Sequence, residues 1–247
     1  MARIALLSDV HGNVAAVEAV RKALKAVKPD AVLIAGDFVL NGPEPSATVD
    51  AIRQLESDGA LVVQGNTDIA VADFDYTAAF PWLADGVPET FRAATEWAHD
   101  ALDDAQLDWL RRLPAERRLW FDDTLVLACH GSPGSQTSGF DQHLDQTVVI
   151  ARVTKTDARL ICCGHTHIPE IRDFGWKQIV NGGSAGYAFD GDPTAAWAVI
   201  DIDGDDIKAE IRRTEFDALS VANAISARGL PGDVYRAATV RTGKLVR

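Results

Sequence analysis

The sequence predicts an α/β protein built as an αββα sandwich, in which two mixed β-sheets pack face to face and helices cover both outer surfaces. In the first half of the chain, short apolar runs alternate with helical patterns, as they do in βα units. In the second half, strand-like runs pair around turn residues as hairpins. Hydrophobic residues make up 47% of the 247 residues, which is enough for a substantial core. We expect a single domain over residues 1–247, with a small helical insertion at about 69–113.

The first strand is the apolar run 4–7, which Gly12 and Asn13 separate from an Ala/Val-rich helical pattern at 14–27. In the rest of the chain, short apolar runs predict strands, and longer amphipathic stretches predict helices. Further strands are predicted at 30–35, 60–64, 118–121, 124–129, 160–163, 196–202 and 207–213, with a hairpin within 171–180 around Gly175. Further helices are predicted at 45–58, 89–102, 104–113, 144–155 and 218–227.

The charge, the apolar runs and the cysteine content of the chain argue against several classes of function. The net charge of -12 argues against binding to long nucleic acids, whose phosphates favour basic surfaces. A small anionic substrate remains compatible if bound cations reverse the sign of the charge locally. No run is long and apolar enough for a membrane span, and the chain shows no signal peptide. The three cysteines, Cys129, Cys162 and Cys163, make a poor disulfide framework, which predicts a cytoplasmic protein with small buried thiols.

Polar residues follow five of the predicted strands, and the stretch from Ser8 to Asn13 is the clearest case. Asp9 and His11 are two residues apart, so on an extended backbone both side chains would point to the same side. In open α/β sheets, ligands bind outside the carboxyl ends of the strands. The residues found there are Asp9, His11, Asp37, Asn66, His130, His165 and His167. Imidazole and carboxylate ligands suit Mn, Fe, Zn, Ni or Co, and seven of them suggest two divalent ions that share a carboxylate.

The order of these motifs, Asp-x-His, Gly-Asp, Gly-Asn, His and Gly-His-x-His, resembles the calcineurin-like metallophosphoesterase superfamily. The stretches at 36–45, 108–114, 130–133 and 181–193 are similar to the bacterial branch of small, YfcE-like phosphoesterases. This resemblance covers most of the chain. It implies a metal-dependent hydrolase that acts on phosphodiesters or phosphomonoesters of small molecules, nucleotides included. Its motifs are specific for the superfamily and much less so for the substrate.

The resemblance also implies a role for each motif residue. Asp9, His11 and His167 would hold the first metal ion, Asn66, His130 and His165 the second, and Asp37 would bridge the two. Two such ions can hold a hydroxide for attack on phosphorus and neutralise the charge of an in-line displacement. Asp37, His130, Asn66 and Asn13 are the residues that the family uses in the reaction itself.

Several alternatives remain open. Asn13 either contacts the phosphate, as the resemblance implies, or caps the following helix. Thr67 stands where many relatives have a histidine, which predicts a preference for good leaving groups, because threonine is not an acid near neutral pH. Asp68 could supply a proton if its pKa were raised. Tryptophans 82, 97, 109 and 120 either pack in the core, which is commoner, or stack on a base.

Two other functions compete with a small-molecule phosphoesterase. One is a non-catalytic scaffold that keeps the fold and uses metal for stability or partner binding. The other is a phosphoprotein phosphatase, although the sequence shows no groove for an extended peptide. All seven motif ligands are present, which favours the enzyme. The oligomeric state and the native metal are left open by the sequence.

Overall fold

The computed structural model describes residues 1–83 and 85–247, and its framework is two five-stranded sheets. The first sheet has the strand order β10-β9-β1-β2-β3, and the second has the order β4-β5-β6-β8-β7. The first sheet comprises β1 (Ala2–Leu7), β2 (Ala31–Ala35), β3 (Leu61–Val63), β9 (Ala195–Asp203) and β10 (Asp206–Thr214). The second sheet comprises β4 (Glu116–Phe121), β5 (Thr124–Cys129), β6 (Leu160–Cys163), β7 (Glu170–Asp173) and β8 (Gln178–Asn181).

Helices connect the strands and cover the sheets. They are α1 (Val14–Val27), α2 (Pro45–Ser57), α3 (Asn66–Asp73), α4 (Tyr76–Ala79), α5 (Glu89–Asp100), α6 (Asp104–Arg112), α7 (Gln146–Val153), α8 (Ala218–Arg228) and α9 (Asp233–Thr242). A short 3₁₀ turn lies at Pro81–Leu83. Among the described residues, no helix is long and apolar enough to cross a bilayer.

Alternate residues of β1 face different layers, which accounts for the sandwich. Ile4 and Leu6 belong to the apolar cluster between the sheets, where they meet Val126 and Leu160 of the second sheet. Ala5 and Leu7 belong instead to the cluster under the helices of the first sheet. Because side chains alternate across a strand, a strand buried on both faces reads as a continuous apolar run, as 4–7 does. The predicted fold class is confirmed.

Both sheets are mixed, and their parallel strands position the motif residues. In the first sheet β1 pairs in parallel with β2, and β2 with β3, whereas β9 runs antiparallel to β1. In the second sheet β5, β6 and β8 are parallel neighbours. The carboxyl ends of parallel neighbours lie at the same edge of a sheet. The loops that follow β1, β2, β3, β5 and β6 therefore start from matching edges of the two sheets.

The described residues of the predicted insertion form helices joined by short loops, with more helix than the sequence predicted. Its two predicted helices correspond to α5 and α6, whereas α3, α4 and the 3₁₀ turn were not predicted. The prediction also covers residue 84, which lies outside the described residues, and the division into domain and insertion stays a prediction. Helix α9 was missed as well, because it buries Asp233, Arg236 and Thr239 and therefore lacks a clear apolar stripe.

Candidate metal centre

The seven predicted ligands converge in two groups that meet at Asp37. In the first group, ligand atoms of Asp9, His11, Asp37 and His167 all lie within 4.8 Å of one another. The two imidazole Nε2 atoms of His11 and His167 are 3.2 Å apart. Oδ1 of Asp9 lies 3.3 Å from Nε2 of His167, and Oδ2 of Asp37 lies 3.6 Å from Nε2 of His11. One cation could contact all four side chains.

The second group comprises Asn66, His130 and His165. Oδ1 of Asn66 lies 3.0 Å from Nε2 of His130 and 3.0 Å from Nδ1 of His165. The two ring nitrogens are 3.1 Å apart. The other carboxylate oxygen of Asp37, Oδ1, lies 3.5 Å from Nε2 of His130. Asp37 therefore presents one oxygen to each group, which is the arrangement of a bridging carboxylate.

Backbone carbonyls orient three of the imidazole rings. Nδ1 of His11 donates to the Leu40 carbonyl at 2.9 Å, Nδ1 of His130 to the Ala35 carbonyl at 2.6 Å, and Nδ1 of His167 to the Tyr187 carbonyl at 2.5 Å. A carbonyl can only accept, so Nδ1 carries a proton in each ring, and Nε2 is the nitrogen that faces the cluster. Metal-ligating histidines commonly use their second nitrogen in this way. His165 differs, because its Nδ1 is the atom that faces the other donors.

The ionisation of these side chains reflects burial and their mutual contacts. Burial lowers the pKa of His11 and of His167 to about 4, and of His165 to about 3. Burial is the largest single influence on His130 and acts to lower its pKa, but the charge and hydrogen bond of Asp37, together with the charge of Asp9, outweigh it and raise that pKa to about 10. In the metal-free site, the imidazoles of His11, His165 and His167 are therefore neutral near pH 7. The imidazole of His130 is a cation paired with the carboxylate of Asp37.

Whether the residues fit a metal ion can be judged from Asp9. This side chain is fully buried, and its Oδ1 has no hydrogen-bond partner among the described residues. Burial, ahead of any charged neighbour, raises its pKa to about 6. An unpaired carboxylate oxygen in a dry site costs free energy unless a cation or donor satisfies it. Imidazole lone pairs surround that oxygen, so the donor set fits a divalent ion.

The backbone that carries these ligands is left-handed, which corrects one expectation. Asp9 and His11 do not lie on an extended strand, because β1 ends at Leu7 and both residues have positive φ angles of 55° and 48°. Asp37, His165 and His167 also have positive φ angles, of 61°, 71° and 60°. Each such residue costs about 1–3 kcal/mol, and this strain is typical of functional sites. Asp and His are among the side chains that tolerate this region best.

Close backbone packing brings the loops together, and Gly164 shows why glycine is required. A Cβ atom at Gly164 would lie 2.2 Å from Oγ of Ser8 and 2.3 Å from Oδ2 of Asp9. The amide of the next residue, His165, donates to the same Asp9 oxygen at 2.9 Å. The Gly-His-x-His turn therefore packs directly on the Asp-x-His turn, across the two sheets.

Asp68 is a positioning residue whose role the sequence left open. Its carboxylate is fully buried and accepts hydrogen bonds from the backbone amides of Asp37, Phe38 and Gly65 at 2.9, 2.8 and 2.8 Å. Burial, and then the charge of Asp37, raises its pKa to about 7. It fastens the loop after β2 to the start of α3, which carries Asn66. The signal for this role was the carboxylate three residues after Gly65, a position from which it can accept from the backbone amide that precedes the helix.

For Asn13 the structure favours the capping alternative. Its Oδ1 accepts from the amide of Ala16 at 3.1 Å, and its Nδ2 donates to the carbonyl of Gly186 at 3.0 Å. Only 1% of this residue is exposed. Both polar atoms are thus engaged in holding α1 against the turn after β8. Direct contact between Asn13 and a phosphate stays a prediction.

The four tryptophans lie in different environments. Trp109 is buried and donates through Nε1 to Glu56 at 2.6 Å, and Trp97 packs under the guanidinium of Arg228. Core packing is therefore confirmed for Trp109. It is wrong for Trp82 and Trp120, which are 56% and 66% exposed. Trp82 lines a cavity that also contains five of the seven ligands, His11, Asp37, Asn66, His165 and His167.

Comparison with known proteins places this site in a family. The calcineurin-like phosphoesterase superfamily domain matches residues 2–205, so the chain belongs to that superfamily. The crystal structure of a metallophosphoesterase from Sphaerobacter thermophilus is similar, with 25% identity, a TM-score of 0.74, and coverage of 98% of this chain and 99% of the other. The predicted superfamily is confirmed.

Two further relatives are similar over nearly their full lengths. The uncharacterized protein MJ0912 of Methanocaldococcus jannaschii is 26% identical over 92% of this chain and 93% of its own. The hypothetical protein PH1004 of Pyrococcus horikoshii shares the fold, with a TM-score of 0.84, 20% identity, and coverage of 98% and 99%. YfcE, a phosphoesterase from E. coli, shares the fold more distantly, with a TM-score of 0.50, 16% identity, and coverage of 86% and 100%.

Proposed function

We propose that this protein is a phosphoesterase that uses two divalent metal ions to hydrolyse phosphodiesters or phosphomonoesters of small molecules. One observation carries the proposal. Asp37 presents one carboxylate oxygen to the group of His11 and the other to the group of His130, at 3.6 and 3.5 Å. A carboxylate between two sets of nitrogen and oxygen ligand atoms is the usual feature of a binuclear site.

The proposed ligand assignment follows the two groups. Asp9, His11 and His167 would hold one ion, Asn66, His130 and His165 would hold the other, and Asp37 would contact both. When bound, a pair of divalent ions lowers the pKa of water and offsets the negative charge of a phosphoryl group. The ligand set accommodates Mn, Fe, Zn, Ni or Co, and cellular supply selects among them.

The protein itself contributes orientation and exclusion of water. The carbonyls of Leu40, Ala35 and Tyr187 fix three imidazole rings, so the lone pairs need no reorientation when an ion binds. Six of the seven ligand residues are at most 6% exposed, and only His165 exceeds that value. Such a site excludes bulk water, which strengthens the interactions between its charges and a phosphate.

The cavity supports a small substrate. Its volume is about 690 Å³, which lies within the range of small-molecule sites, and Thr67 lines it beside the ligands. The backbone amide of Thr67 donates to Oδ1 of Asp37 at 2.9 Å, whereas its hydroxyl has no partner among the described residues. Threonine cannot protonate a leaving alkoxide near neutral pH. We therefore infer a preference for good leaving groups, such as the phenol released from an aryl phosphate.

The two rival functions receive less support. A metal-stabilised scaffold needs neither the full ligand set nor an open cavity beside it, and both are present here. A phosphoprotein phosphatase needs a surface for an extended peptide, whereas the cavity is of small-molecule size. A cytoplasmic location is part of the proposal and is supported by three buried cysteines that form no disulfide.

Hydrolysis of bis-p-nitrophenyl phosphate and p-nitrophenyl phosphate with added Mn²⁺ tests the proposal. We expect turnover that a chelator abolishes and that Asp37→Asn lowers by about 10²-fold or more, because the bridging carboxylate is lost. Asp217→Asn, an exposed cap of α8, is the matched control and should keep full activity. Absence of turnover with protein that has bound Mn²⁺ would favour the scaffold. The ratio of the two rates separates a diesterase from a monoesterase.

A further inference from the structure

The cavity extends from the ligand side chains into a space bounded by two segments that are distant in sequence. One boundary is the insertion, which contributes Phe80, Trp82 and Phe91, and the other is the C-terminal segment, which contributes Tyr235 and Leu245. Among the described lining residues, Asp37 has the only acidic side chain. In a chain with a net charge of -12, this part of the surface is unusual, because it is aromatic and apolar.

The insertion side of the cavity is a cluster of three aromatic rings. Phe80 contacts Trp82 and Phe91 edge to face, with ring centroids 5.5 and 5.4 Å apart. Phe80 is 3% exposed and anchors the cluster, whereas Trp82 is 56% exposed. Nδ2 of Asn66 donates to the carbonyl of Ala79 at 3.1 Å, so the cluster begins directly beside a proposed metal ligand.

A second aromatic group packs on the proposed ligand His167. The ring of Phe189 stacks on the imidazole of His167, with centroids 4.1 Å apart and an interplanar angle of 11°. Tyr187 contacts Phe189 edge to face at 5.5 Å. Both residues line the cavity, as does Tyr235, which is 47% exposed on α9. A ligand held at the metal centre would therefore share the cavity with aromatic rings from both groups and from α9.

Charged contacts hold α9 in place against the insertion, so the cavity is already formed without a ligand. Arg236 donates to the carbonyl of Thr90, and it donates to Oδ1 of Asn41 at 3.2 Å and to Asp233 at 3.1 Å. Arg228 also donates to Asp233, at 2.7 Å, and to the carbonyl of Asn41 at 2.9 Å. This cluster joins α9 to the insertion and to the loop that carries Asp37. A preformed pocket binds its ligand with less loss of conformational freedom.

Resting on the proposed function, we infer that the preferred substrates are phosphate esters whose alcohol-derived substituent carries an aromatic ring. The ring packs on Trp82 and Tyr235 while the phosphate lies at the metal centre. Exposed aromatic side chains gain most from a flat apolar partner, because stacking covers their hydrophobic faces. The cavity of about 690 Å³ has room for a nucleoside or for a simpler aryl group.

Matched substrate pairs test this inference without a change in leaving-group chemistry. Adenosine 5′-monophosphate and ribose 5-phosphate both release a primary alcohol and differ in the base, and benzyl phosphate and propyl phosphate form a second pair. We expect kcat/KM to be about tenfold or more higher for the aromatic member, the factor that one stacking contact supplies. Trp82→Ala should lower that preference about tenfold and leave the non-aromatic member within about twofold. Trp120→Ala is the control, since Trp120 is similarly exposed on β4.

A binding measurement separates failure of this inference from failure of the proposed function. Saturation-transfer NMR with adenosine and with benzyl alcohol reports ring contact in protein that hydrolyses nothing. If no ester is hydrolysed but ring contact occurs and is lost in Trp82→Ala, the phosphoesterase proposal fails and the aromatic site stands. If both members of each pair react equally and Trp82→Ala behaves as Trp120→Ala, the aromatic site is wrong. A preference in only the adenosine or only the benzyl pair identifies the class of aromatic group.

Discussion

Replacing Asp68 by asparagine tests how the loops that carry the ligands are held together. The buried carboxylate accepts from the amide of Phe38 through Oδ1 and from the amides of Asp37 and Gly65 through Oδ2. Asparagine keeps only one acceptor oxygen and replaces the other by an NH₂ group. In one orientation a single amide loses its acceptor, and in the other orientation two amides do. The variant cannot satisfy all three donors.

The magnitude follows from the contacts. Each buried donor left without an acceptor costs about 1–3 kcal/mol, and the better orientation leaves one amide unpaired, so we expect Asp68→Asn to lower the free energy of unfolding by about 1–3 kcal/mol. Burial and then the charge of Asp37 raise the pKa of the native carboxyl to about 7. Part of the cost is therefore offset, because the variant no longer buries a charge. The lower half of the range is the expected result.

Urea denaturation of metal-free protein, followed by circular dichroism and tryptophan fluorescence, measures this loss. The matched control is Asp217→Asn, which makes the same substitution at the exposed cap of α8, where the residue accepts from the amide of Ser220 at 2.9 Å. Asparagine caps a helix about as well as aspartate, so its cost should stay below about 0.5 kcal/mol. Equal losses in the two variants would refute the reasoning. Asp68→Asn should also retain less Mn²⁺, because the backbone of Asp37 loses its anchor.

Three further changes probe the centre. Gly164→Ala should sharply reduce metal content measured by mass spectrometry, since its methyl would lie 2.3 Å from Oδ2 of Asp9, and full content would contradict the proposed packing. Metal affinity should rise with pH by about tenfold per unit for each proton displaced, because His130, whose pKa is raised to about 10, must lose its proton to bind. Calorimetry in buffers of different ionisation enthalpy measures that release, and an affinity independent of pH would exclude it. Thr67→His should accelerate hydrolysis of alkyl phosphates but not of aryl phosphates, with Thr67→Val as control, and no gain at unchanged metal content would count against a missing acid.

The sequence determined the parts of this protein that depend on local pattern. Apolar runs such as 4–7 and 160–163 gave the strands, and the polar residues directly after them gave all seven candidate ligands. The two predicted groups of ligands also lie where the resemblance implied, around Asp37. A residue that follows a parallel strand must lie at one edge of its sheet, so its placement needs no knowledge of distant contacts.

Only the tertiary structure decided the conformation and the surroundings of those ligands. Asp9 and His11 adopt left-handed backbone, and the turn after β6 packs with Gly164 against Asp9 from the second sheet. No local pattern encodes that contact. Asp68 became a positioning residue because three amides from two loops meet its carboxylate. Likewise, Trp82 lines a cavity together with Tyr235 of α9, which is distant from it in sequence. The hydrogen bond between Arg236 and Thr90 joins residues that are 146 positions apart in the sequence. Such a contact depends on the whole fold.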